Sequence, residues 1–83
     1  AAALYPARAQ DRGVEGSATV ECGVRADGRP EGCFVVDESP RGNGFGGAAV
    51  RLVSRFRMRP TTQSGEPVEG RRVRIPVRWN LPE

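Results

Sequence analysis

Cys22 and Cys33 are the most reactive side chains in a chain of 83 residues that contains no histidine. They flank Asp27-Gly28, a pair that favours a two-residue hairpin, and lie equally far from its centre. Such a hairpin sets the two cysteines opposite each other on one face, with Cα atoms about 4.5 to 5.5 Å apart, within disulfide range. Two chemistries fit that placement. One is a disulfide, worth roughly 2 to 3 kcal/mol for the loop it closes and pointing to an oxidising compartment. The other is a pair of buried thiols. Zinc is disfavoured, because two thiols without histidine do not complete a site.

The remaining side chains argue against an enzyme. Without histidine there is no ordinary general base near neutral pH and no Cys-His or Ser-His pair. The adjacent carboxylates Asp37 and Glu38 diverge on a strand. Gly42, Gly44 and Gly47 spell G-x-G-x-x-G before a helix, but the phosphate fingerprint needs a parallel βαβ unit. Here the preceding strand belongs to a hairpin and Phe45 reads as core, so a flexible loop entering a helix accounts for the glycines, and no cofactor is expected. The 13 basic residues are all arginine, against 10 acids, for a net charge of +3. The acids interleave with them, and Tyr5, Phe45, Phe56 and Trp79 occupy core-type positions, leaving only Phe34 outside. That is an arginine-biased surface and not a nucleic-acid platform.

Backbone chemistry is more informative. From Arg71 to Leu81, Val73, Ile75, Val77, Trp79 and Leu81 alternate with Arg72, Arg74, Pro76, Arg78 and Asn80, the period of a strand with one buried face. A mid-strand proline places that strand at a sheet edge, with its missing donor on the open side. Val73, Ile75 and Val77 then bond the neighbouring strand. Arg74, Pro76 and Arg78 turn carbonyls outward, and Arg74 and Arg78 amides as well. An extended peptide could add there as another strand.

The elements that position this edge follow in order. Tyr5 to Gly13 reads as a short helix with Pro6 in its first turn and Gly13 closing it. A strand from Ser17 to Arg25 puts Ala18, Val20, Cys22 and Val24 on one face. After the turn, a second strand runs from Pro30 to Glu38 with Cys33 and Val35 inward, unless a bulge near Gly32 changes the parity. Phe45, Ala48, Ala49, Leu52, Val53 and Phe56 give an amphipathic helix to about Arg57, ended or followed by Pro60. Thr61 to Gly70 is turn-rich, with a small hairpin at Ser64-Gly65. The second helix brings the chain back parallel to the second strand, so an antiparallel sheet needs the third strand beside the first. The expectation is an α+β two-layer sandwich: a three-stranded antiparallel sheet, first strand central, both helices on one face. Residues 1–83 form one small domain, burying roughly 60 to 65% of its unfolded-chain surface. Its opening residues read as cut from a longer chain, and no stretch approaches the roughly 20 apolar residues of a membrane span.

Taken together, Tyr5-Pro-Ala-Arg-Ala-Gln10, Gly16-x-Ala-x-Val-x-Cys-x-Val24, Asp27-Gly28, Ser39, Ala48-Ala49, Phe56-x-x-x-Pro60, Gly65 and Val73-x-Ile-Pro-Val-x-Trp79 resemble the C-terminal domain of TonB-family energy transducers over nearly the whole chain. The resemblance implies a periplasmic, non-catalytic domain that grips the TonB box of outer-membrane transporters by adding it to the last strand. It also implies an inner-membrane anchor and a proline-rich spacer in the full-length protein, leading to the ExbB and ExbD motor. Residues 72 to 79 correspond to the docking edge, with Arg72, Arg74, Pro76 and Arg78 as partner-binding residues. Arg8 matches an arginine that faces the transporter plug. Ala2-Ala3-Leu4 departs from the glutamine-bearing segment of the family. The alternative is a stand-alone scaffold or signalling domain of the same fold. An exposed edge also allows a strand-exchanged homodimer.

Overall fold

A computed structural model describes residues 3–59, 61, 63–67 and 69–82. Its elements are α1 (Ala7–Asp11), β1 (Gly16–Val24), β2 (Pro30–Ser39), α2 (Phe45–Val53) and β3 (Arg72–Trp79). The three strands form one antiparallel sheet in the order β2-β1-β3, as the alternation and connectivity require. Pro60, expected at the end of α2, and Ala2, ahead of Tyr5, lie outside the described residues.

The core follows from two periods meeting on one side of the sheet. Ala18, Val20, Cys22 and Val24 point inward from β1 at every second residue, and Phe45, Ala48, Ala49 and Val53 come down from α2 at helical spacing. Trp79 from β3 stacks at 5.5 Å on Phe45, whose other neighbour is Tyr5 at 6.1 Å. Buried aromatics need their polar atoms satisfied. Accordingly Trp79 Nε1 donates to the Ala3 carbonyl at 3.0 Å and the Tyr5 hydroxyl to the Val14 carbonyl at 2.6 Å. The first bond ties the segment ahead of α1 to β3 and the second closes the chain across α1, which at five residues is too short to persist alone.

The hairpin differs from the two-residue turn expected at Asp27-Gly28. Arg25 and Arg29 close a three-residue loop through Arg25 N–H to Arg29 O at 2.9 Å, with Gly28 at φ 86°. A longer loop alone would shift Cys33 out of line with Cys22. Gly32, at φ 58°, forms a bulge between the Gly23↔Glu31 and Glu21↔Phe34 pairs and moves the register back. Cys22 and Cys33 therefore meet as a disulfide with Cα atoms 4.2 Å apart, the spacing of a non-hydrogen-bonded pair. A second register shift follows between Thr19 and Val20.

The helix read as reaching Arg57 stops at Val53. The Ser54 hydroxyl donates to the Arg51 carbonyl at 2.7 Å, and Phe56 N–H reaches back only three residues, to Val53. From there Met58 N–H bonds the Gly28 carbonyl at 2.8 Å, tying the chain to the hairpin loop. Phe56, expected in the core, is consequently 39% exposed, so two aromatics lie at the surface, Phe34 being the other at 49%.

Candidate docking edge

β3 pairs with β1 in one unbroken register, from Gly16↔Trp79 to Gly23↔Arg72. Val24 N–H donates to the Arg71 carbonyl at 3.1 Å. Hydrogen-bonded pairs recur at every second position of an antiparallel ladder, so Cys22/Val73, Val20/Ile75 and Ala18/Val77 are the bonded pairs. Arg72, Arg74 and Pro76 thus turn their backbone away from β1, toward the side where no strand is bonded among the described residues. Pro76 sits opposite Thr19, where the ladder asks for no donor. The sheet's other edge, β2, has its register broken twice by bulges. Bulges blunt an edge for further pairing, and β3 carries none.

On the open face of the sheet, Glu21 of β1 accepts hydrogen bonds from Arg72 Nε at 2.7 Å and Arg74 Nε at 3.1 Å. These bonds, Arg72's first, hold the Glu21 carboxyl below the usual glutamate range. The Arg72 guanidinium also lies 5.4 Å over the Phe34 ring on β2, within cation–π reach. One side chain rooted on β3 therefore crosses β1 to touch β2. Toward the other end of the β1–β3 ladder, a shallow depression of about 430 Å³ is lined by Ser17, Ala18, Thr19, Pro76, Val77 and Arg78. On the helix side, Val73 and Ile75 stay half-buried, whereas Val77 and Trp79 are buried. A strand laid along β3 would cover the first two.

The structure brings Arg72, Arg74, Pro76 and Arg78 together on one row of β3. It sets Arg8 elsewhere: Arg8 Nη1 donates to the Gly42 carbonyl at 3.2 Å, on the loop entering α2. Sequence reasoning missed Glu21 and Phe34 as partners of the arginine row. Their outward parity on adjacent strands was a signal, but which arginine each meets depends on a register that only the folded sheet defines.

An open three-stranded sheet with two helices on one face and one regular edge strand defines a small α+β two-layer domain. The chain belongs to the family described as Gram-negative bacterial TonB protein C-terminal, whose model matches residues 1–81. That is a family of periplasmic transducer domains and not an enzyme family. The fold matches the structure titled as the TonB2 protein of Vibrio anguillarum, with a TM-score of 0.70 and 26% identity over 95% of this chain and 74% of that one. An uncharacterized protein of Caulobacter vibrioides is 36% identical over 64 residues, 77% of this chain. The match spans 64% of that relative's length.

Proposed function

We propose that this domain binds a short extended segment, the TonB box of an outer-membrane transporter, by adding it as a fourth strand to β3. The observation that supports this most is the unbroken β3 register beside a β2 edge interrupted by bulges. Main-chain hydrogen bonds to Arg72, Arg74 and the Pro76 carbonyl would supply most of the affinity, as in other strand additions. Val73 and Ile75 offer a partly covered apolar floor on the helix side. Arg8, Arg78 and the single net positive charge left on the Arg72–Arg74–Glu21 group add a modest long-range field that favours encounter with an acidic transporter surface.

In this reading residues 1–83 are the C-terminal domain of a longer protein anchored in the inner membrane. ExbB and ExbD drive it from there, and the domain passes their pull to the transporter. A strand added to β3 loads several hydrogen bonds side by side in shear, so the pull is shared among them. The test is Arg74→Pro. It removes the outward Arg74 N–H and leaves the inward β1 bonds of Val73 and Ile75 in place. Binding of a TonB-box peptide, followed by titration calorimetry, should be abolished while the circular dichroism spectrum is kept. Unchanged affinity in a folded variant refutes the edge.

A further inference from the structure

The arginines that flank the docking edge are already engaged. Arg72 and Arg74 both spend their Nε hydrogen on Glu21, at 2.7 and 3.1 Å, and the Glu21 side chain is only 17% exposed between them. Arg72 is drawn further, lying over Phe34 two strands away from the edge on which it is rooted. Neighbouring strands lie about 4.8 Å apart. A partner strand would occupy the far side of β3, so each guanidinium is pulled back toward β1, away from an incoming side chain. One carboxylate shared by two arginines also cuts the local charge from two positive units to one.

We propose that Glu21 sets the charge preference of the docking edge: by clasping Arg72 and Arg74 over the open face, it holds their guanidiniums back from an added strand. The edge then accepts segments with neutral open-face side chains about as readily as acidic ones. Phe34 assists by stacking the Arg72 end of the clasp. This inference rests on the docking reading above and assigns Glu21 a positioning role within it. Removing the carboxylate would release two guanidiniums that can swing outward, and an acidic side chain on the partner then gains an ion pair that the native edge withholds.

The experiment uses two extended octapeptides of TonB-box type, identical except for glutamate or glutamine on the same-face alternate positions. The quantity read is the ratio of their dissociation constants at low salt. With the native chain the ratio lies near one. Glu21→Gln should tighten the glutamate peptide about twofold to fivefold, the range of an exposed ion pair, and leave the glutamine peptide unchanged. Adding Arg74→Gln should return most of that gain. Phe34 is half exposed, so Phe34→Ala provides an independent variant should Glu21→Gln fold poorly, with a smaller shift in the same direction. If both peptides bind and the ratio stays fixed in both variants, the role of Glu21 is overturned and the docking edge stands. If the native chain binds neither peptide, the docking reading falls and this inference falls with it.

Discussion

Thr19 on β1 and Pro76 on β3 face each other at a position of the ladder that uses no hydrogen bond. The proline therefore takes nothing from the fold, and its missing donor is lost only from the open side. Pro76→Val should leave the thermal midpoint nearly unchanged and restore a donor to an edge that the proline helps to keep unpaired. Sedimentation should then show self-association at lower protein concentration than for the native chain. A loss of stability with no change in association would mean that Pro76 serves the sheet and not its edge.

Reducing the Cys22–Cys33 bridge, 11 residues apart in sequence, releases loop entropy to the unfolded chain. The expected loss is about 2 to 3 kcal/mol. Urea unfolding of oxidised and reduced protein measures it directly. The native fold of so small a domain should survive reduction in the cold and unfold at distinctly lower denaturant.

Trp79 is fully buried, stacks on Phe45 and bonds the Ala3 carbonyl. Trp79→Ala should cost about 3 to 5 kcal/mol, enough to populate the unfolded state. Trp79→Phe keeps most of the packing and loses the hydrogen bond, so its loss should be clearly smaller. Chemical denaturation orders the two.

Glu21 is held below the ordinary glutamate value by Arg72 and Arg74, and Asp27 below the ordinary aspartate value, chiefly by the Arg29 backbone N–H. A depressed folded-state pKa contributes stability that is fully present above the unfolded value of about 4 and is lost as pH falls through the folded value. Stability should thus drop as pH falls below about 4.5. Glu21→Gln should flatten part of that decline. Urea midpoints at stepped pH values, compared between the two proteins, test the sign.

Gly28 combines φ 86° with a position where a Cβ would fall on the Met58 carbonyl. Gly28→Ala should therefore cost about 1 to 3 kcal/mol, through strain and through loss of the Met58 N–H bond to Gly28 O. Gly32→Ala, also at positive φ but with open space around it, should cost less. A thermal melt of both variants decides the order.

How much of this was legible in the sequence depends on the range of the determining interaction. Alternation from Val73 to Trp79 and the proline within it are local features, and they placed β3 at an edge and β1 in the centre. The Tyr5-Pro6 helix, the Phe45 helix start and the Cys22–Cys33 meeting were legible as well. The last held although the loop is a residue longer than expected, because Gly32 compensates. What was not legible depended on tertiary contacts. α2 stops at Val53, and five residues on Met58 N–H bonds the Gly28 carbonyl, a contact 30 residues away that no periodicity encodes. Glu21 binds Arg72 and Arg74 across more than 50 residues, so the arginine row read as available is partly engaged.

The central claim is that the outward backbone of β3 pairs with an added strand. Amide hydrogen exchange of the domain, with and without a saturating TonB-box peptide, measures this residue by residue. The Arg72 and Arg74 amides, turned away from β1, should exchange quickly alone and slow by at least about tenfold in the complex, while Val73 and Ile75 are protected in both. Protection that appears along β2 or on α2, with the Arg72 and Arg74 amides unchanged, would contradict the account.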